Sequence, residues 1–263
     1  MSGRIPRVLS IAGSDSGGGA GIQADLKAFA ACGAHGMTAI TAITAQNTVG
    51  VSAVHAVPPE IIVEQVRQVA EDMGVDAVKI GMLGNAETID AVVEALGHVG
   101  EAPVVLDPVM VAESGAILLD DGARDALRER LLPLVDVVTP NIAEAQVLAG
   151  TDGEPEELAR AIHARGPKAV VVTGGHRDNA TDVFFDGDRL EEIPGERHDT
   201  GAAHGSGCTH SSALAAYLAH GDDSLSAARK AKEVAARAVK NGLQDIGLGA
   251  GPVDVVGLSG RSR

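Results

Sequence analysis

Aromatic residues are nearly missing from this 263-residue chain, which has three Phe, one Tyr and no Trp. That excludes a platform of stacked rings for single-stranded nucleic acid. The net charge of -15 works against any partner recognised through its phosphate backbone. Cysteine is scarce as well: Cys32 and Cys208 lie far apart, with no C-x-x-C pair and no His/Cys cluster at zinc spacing. A disulfide framework does not suit such a chain, and a reducing cytoplasm is the expected setting. No uncharged apolar run reaches the ~18 residues of a membrane helix. The opening residues lack the apolar stretch of a secretory signal, so no membrane partner is expected. There is no Gly-Lys pair, which removes the P-loop NTPases. The glycines at 17, 18, 19 and 21 fit no G-x-G-x-x-G, which removes the dinucleotide-binding oxidoreductases.

What remains is an Ala/Val/Leu/Ile core, with 45% hydrophobic and 22% charged residues. Short apolar strands alternate with helical stretches. Strands are expected at 8–12, 37–45, 51–57, 76–80, 103–106, 135–139 and 169–173, with an antiparallel pair at 182–186 and 189–193 around Gly187. Helices are expected at 22–31, 60–71, 87–96, 123–131, 142–149, 156–164, 208–219 and 224–241, and the tail beyond Gly247 as a surface return. This rhythm predicts one α/β domain over 1–263, with a mostly parallel sheet covered on both faces. In such folds the ligand lies off the carboxyl ends of the strands. Those ends carry polar residues here: Gly13-Ser14-Asp15, Gln46-Asn47, Gly81-Met82, Asp107-Pro108, Thr139-Pro140-Asn141 and Thr173-Gly174-Gly175-His176.

Four segments suggest chemistry. His204 through His210 (HGSGCTH) precedes a helical run of small residues. Its glycines let backbone N–H groups face an anion at a helix N-terminus, where a thiol such as Cys208 is favoured as thiolate. The same segment also reads as a Gly-rich turn with a buried Cys. Ser14 through Gly21 forms a loop that could close over a small ligand, and Asp25 lies one turn into the following helix. Asn141 and Glu144 stand at i and i+3, the spacing of a capping box and equally of a carboxylate held near Mg²⁺ through water. Asp107, at a strand end, is the second carboxylate for that ion. Thr173-Gly174-Gly175 suits the approach of a nucleotide or a plain turn. Lys232 sits in a basic run that ordinarily faces solvent, and Cys32 reads as a buried small residue.

Taken jointly, these segments resemble the hydroxymethylpyrimidine/phosphomethylpyrimidine kinases, thiamine-pathway enzymes of the ribokinase-like superfamily. The resemblance rests on Ile11 through Lys27 (IAGSDSGGGAGIQADLK), Thr44 through Thr48 (TAQNT), Lys79 through Leu83 (KIGML), Asp107 through Met110 (DPVM), Thr139 through Glu144, and Gly205 through Thr209. It implies a ribokinase-like three-layer α/β/α sandwich. It further implies transfer of the ATP γ-phosphoryl to the hydroxymethyl of an aminopyrimidine, then a second phosphorylation to the pyrophosphate. By resemblance Asp25 and Gln46 bind the ring, while Met82, Val109 and Gly13 line its pocket. Asp107 and Glu144 flank Mg²⁺. Gly205, Ser206, Gly207 and Cys208 form the catalytic anion hole, with Cys208 where the wider superfamily carries an Asp base. Thr173, Lys232 and Asn141 fall on the ATP side, and a homodimer is expected. Ser206 departs from the usual Thr, and His210 stands where an apolar residue is more common. Pyridoxal kinase, a sugar kinase and a non-catalytic pyrimidine-binding sensor are the alternatives.

Overall fold

β1 (Arg7–Asp15) explains why the architecture has two cores. Its side chains alternate between faces, and both faces are apolar: Leu9 and Ile11 enter one buried cluster, Val8 the other. The same alternation recurs in β4 (Ala77–Ile80), β5 (Val104–Leu106) and β7 (Ala169–Val172). There Val78, Ile80, Leu106 and Val170 join the first cluster, and Ala77, Val105 and Val171 the second. A sheet apolar on both sides needs helices on both sides. The computed structural model describes residues 4–175 and 180–260, so His176 lies outside the described residues.

Nine strands form one sheet in the order β3-β2-β1-β4-β5-β6-β7-β8-β9. β2 (His35–Asn47) and β6 (Val137–Val138) complete the parallel part. β3 (Gly50–Ala56) pairs antiparallel with β2 at one edge; β8 (Asp182–Phe185) and β9 (Leu190–Ile193) are antiparallel at the other. On one face lie α2 (Pro59–Asp72), α3 (Ala86–Leu96), α4 (Asp121–Ala126), α5 (Ile142–Ala149) and α6 (Pro155–His163). On the other lie α1 (Gly21–Ala31), α7 (Ser206–Ala219) and α8 (Ser224–Lys240). This is the expected three-layer sandwich.

Two elements differ from expectation. The helix expected at 123–131 ends at Ala126, and a wider π turn (Leu127–Leu131) and a tight 3-10 turn (Leu132–Leu134) follow, the latter carrying Pro133. The tail is a surface return only in part: Leu248, Gly249 and residues 257–260 are exposed, but the stretch between them is not. Residues 251–254 are buried, with Val253 N–H donating to the His204 carbonyl at 3.1 Å, His204 N–H to the Gly251 carbonyl at 3.1 Å, and Asp254 N–H to the Ala238 carbonyl at 2.9 Å.

Candidate active site

The carboxyl ends of the parallel strands open into a cavity of about 510 Å³. β1 delivers Gly13 to Asp15, the β2 end Gln46, the β4 end Met82, the β5 end Asp107 and Val109, and the start of α5 Asn141 and Glu144. Thr173 follows β7, Lys232 comes from α8, and Gly205 to Cys208 form the first turn of α7; all line the same space. Of the residues expected at the site, Asp25 alone does not line it. Asp25 is fully buried behind the cavity floor, where its carboxylate accepts from Lys79 Nζ at 2.9 Å, Ser10 Oγ at 2.6 Å and Ser212 Oγ at 2.8 Å. It is the counter-ion of a buried lysine and does not itself line the cavity.

Lys79, which the sequence marks only as the start of a motif, is a further residue of the cavity floor. It lies between Val78 and Ile80 in β4, so alternation turns it toward α1 and α7, and it is wholly buried yet reaches the cavity floor. Its Nζ stands 3.7 Å from Asp107 as well as bonding Asp25. Burial alone would depress the Lys79 ammonium, but the charges of Asp25 and Asp107, and of Cys208 once it ionises at high pH, outweigh it and hold the pKa above the ordinary lysine range. A lysine inside an all-apolar strand was the available signal, because a buried charge needs a partner or a task.

Asp107 and Glu144 face the cavity together. Burial, then the Asp107 charge, pushes Glu144 up to about 8, against the amides of Asn141 and Met110. Burial also raises Asp107, against the pull of Lys79 and of a 3.0 Å hydrogen bond from Ser211. The capping-box reading of Asn141 and Glu144 holds at the same time: Asn141 N–H donates to Glu144 Oε2 at 2.9 Å and Glu144 N–H to Asn141 Oδ1 at 3.0 Å. Two buried carboxylates that each disfavour the other's charge are a donor set suited to a hard divalent cation. Mg²⁺ needs only one or two carboxylates when phosphates and water fill its remaining positions. No cluster of three or more metal-ligating side chains occurs among the described residues, so the protein alone would make no complete cage.

The phosphate end is narrower than expected. Ser206 N–H is taken by the Ala203 carbonyl at 3.0 Å, and Thr209 N–H opens the α7 ladder on the Gly205 carbonyl at 2.9 Å. Among the amides of residues 206–209, those of Gly207 and Cys208 are therefore the ones available to an anion. Gly205 has φ +82°, and a Cβ there would run into the Gly19 carbonyl, so this turn admits only glycine. The expected Cys208 thiolate is not what the surroundings favour. Burial at the cavity floor and the charges of Asp107 and Asp25 push the thiol up to about 12, despite Lys79 and the Gly21 amide. The helix N-terminus is outweighed by two carboxylates.

Lys232 is likewise not on a solvated face: it is buried, bonded to Asp182 Oδ1 at 2.6 Å, and Asp182 also accepts from Gly174 N–H at 2.8 Å. His210 approaches the other Asp182 oxygen at 3.4 Å, so its ring is turned toward the start of β8. Cys32 is half-buried at the end of α1. No helix among the described residues is long and apolar enough to cross a membrane.

A three-layer fold of this topology with such a cavity is that of the ribokinase-like small-molecule kinases. The pyridoxal kinase from Staphylococcus aureus in complex with ADP superposes with a TM-score of 0.87 at 35% identity, covering 96% of this chain and 94% of that one. Within that class the chain belongs to the phosphomethylpyrimidine kinase family, whose model matches residues 15–254. A hydroxymethylpyrimidine/phosphomethylpyrimidine kinase of Rhizobium meliloti is 51% identical over 253 residues, covering 93% of this chain and 95% of that protein. A thiamine biosynthesis bifunctional protein of Geobacter sulfurreducens is 46% identical over 253 residues, and the chain spans 51% of its length.

Proposed function

We propose that this chain transfers the γ-phosphoryl of ATP to the hydroxymethyl oxygen of 4-amino-5-hydroxymethyl-2-methylpyrimidine, and then phosphorylates that monophosphate to the pyrophosphate. The observation that carries the reading is one cavity lined by Gln46, Met82, Val109 and Gly13 together with Asp107, Glu144 and the Gly205–Cys208 turn. Gln46 offers both a donor and an acceptor to an aminopyrimidine edge. Its amide oxygen accepts from the Thr44 hydroxyl at 3.1 Å. Met82 and Val109 supply the apolar faces of the ring pocket, and Asp25 acts only through Lys79. Thr173, Asn141 and Lys232 serve the ATP side.

Phosphoryl transfer demands positioning and charge neutralisation more than covalent chemistry. Asp107 and Glu144 would hold Mg²⁺, which supplies charge neutralisation on the ATP phosphates. The amides of Gly207 and Cys208 meet the charge that develops on the transferring group, an effect worth about 3 kcal/mol per donor. A thiol raised in this way is disfavoured as the acceptor of the hydroxyl proton. Cys208 therefore orients the hydroxymethyl oxygen by hydrogen bonding, and the proton leaves late, to an oxygen of the transferred phosphoryl group. The working unit is a single domain over 1–263, cytoplasmic and homodimeric. Exposed Ile43, Val49 and Val54 on the β2–β3 edge support the dimer, and light scattering in solution tests it.

Pyridoxal phosphorylation is the second reading, supported by the likeness to the Staphylococcus aureus pyridoxal kinase. Coupled ADP release with Mg-ATP separates the two. Turnover of the pyrimidine and its monophosphate with slow pyridoxal is expected. Pyridoxal preferred over both overturns the main reading, and binding of the pyrimidine without any ADP release would leave a sensor.

A further inference from the structure

Asp15 is not assigned a role by the chemistry above, yet it is among the most heavily bonded carboxylates in the structure. Oδ2 accepts from Gly19 N–H at 3.0 Å and Ala20 N–H at 2.8 Å, Oδ1 from Gly17 N–H at 2.8 Å, and Oδ2 also meets His204 Nε2 at 3.1 Å. Both side chains are about nine-tenths buried or more, with side-chain exposures of 3% for Asp15 and 10% for His204. An ionised carboxylate can only accept, so Nε2 carries the proton that bridges them.

The bridge joins the two ends of the cavity. On one side, Ser16 Oγ donates to the Gln46 carbonyl at 2.8 Å and accepts from Gln46 N–H at 2.8 Å, tying the β1–α1 loop to the residue at the ring end. On the other, His204 immediately precedes Gly205 and the amides of the phosphate end. The loops are in van der Waals contact, since a Cβ on Gly19 would strike the His204 ring and one on Gly205 the Gly19 carbonyl. The His204 backbone is itself clipped at both its N–H and its carbonyl by residues 251–253. Gln46, Ser16, Asp15, His204 and the 205–208 turn thus form one unbroken chain of contacts.

We propose that Asp15 and His204 are positioning residues that couple the ring-binding end of the cavity to the phosphate-binding turn, so that each end is held in its reactive geometry by the other. The proposal rests on the kinase reading for its catalytic consequence, but not for its physical one. Both residues border the cavity and act through the loops they join.

The test is hydrogen exchange with mass spectrometry on the full chain, in the wild type, Asp15→Asn, His204→Ala, the double variant and the conservative His204→Gln. Cross effects are expected: Asp15→Asn speeds exchange in 203–208 and His204→Ala speeds it in 16–21, with the core strands unchanged. His204→Gln, which keeps a donor, restores protection. Exchange that rises only in the loop carrying the substitution overturns the proposal, whatever the enzyme's activity. In ADP release each single variant is expected to lose about 10- to 100-fold in kcat, the range set by small misplacements of catalytic groups. KM for ATP should change little, and the double variant should be no worse than the worse single. Additive losses, or a loss confined to KM, also overturn it. A wild type without turnover would defeat the kinase reading instead and leave the exchange result to decide this one.

Discussion

At the scale of single residues, buried charge does most of the organising. Lys79 is the clearest instance, because its removal would leave Asp25 buried without its cation. Lys79→Met should cost about 3–5 kcal/mol, read from the shift in urea midpoint. Lys79→Met combined with Asp25→Leu should recover most of that loss, since an apolar pair can replace a buried ion pair. A cost below about 1 kcal/mol for the single variant would mean that solvent reaches the pair. Cys208 gives a second residue-scale test. With its thiol pushed up to about 12, its alkylation rate in a Cys32→Ser background should still be climbing at pH 10. A plateau below pH 8 would restore the thiolate and with it the general-base role. By the same account Cys208→Ala keeps turnover within about tenfold, the smallest of the losses general acid–base groups leave being near a hundredfold.

At the scale of elements, the loop after β1 and the turn into α7 carry the site, and both depend on backbone geometry. Gly205→Ala forces a left-handed φ of +82° on a residue with a Cβ and a clash with the Gly19 carbonyl. It should cost about 1–3 kcal/mol in stability. Its kcat should fall far more than stability explains, because the amides of Gly207 and Cys208 move with it. Asp15 makes the β1–α1 loop sensitive to acid. Burial would raise its carboxyl, but the His204 hydrogen bond and the Ala20 and Gly17 amides prevail and hold it below the ordinary 3.8. A depressed carboxylate pKa means that the unfolded chain binds the proton more readily. The contribution is therefore complete above pH 3.8 and is lost as pH falls through the lower folded value. Asp15→Asn should be less stable than the wild type at pH 6, with the gap narrowing below pH 4. A gap that is constant from pH 6 to pH 3 would contradict this.

The same scale shows what the chain made legible. Strand rhythm and polar strand ends located the sheet and its functional edge, because alternation and β-to-α spacing are local properties. Glu144, Asn141, Gln46 and the Gly205 turn were readable for that reason. The inward turn of Asp25 was not legible, because its distance into α1 says nothing of the lysine 54 positions later that it pairs with. Lys232 was hidden for the same reason, its partner Asp182 lying 50 residues away across α8 and β8. The Cys208 environment and the buried 251–253 clip depend on what long-range packing brings together, and no local pattern encodes that.

At the scale of the whole molecule, the sheet converts an ordinary α/β framework into one continuous cavity, with an apolar ring end, a pair of carboxylates and a helix N-terminus in sequence. On the proposed reading the same cavity takes the first product back as the second substrate. The most direct test is ³¹P NMR of a single reaction containing the enzyme, Mg-ATP and the hydroxymethyl aminopyrimidine. A monophosphate ester that appears and is then consumed into a pyrophosphate ester is the predicted course. Accumulation of monophosphate without pyrophosphate, or no phosphorylated pyrimidine at all, would contradict it.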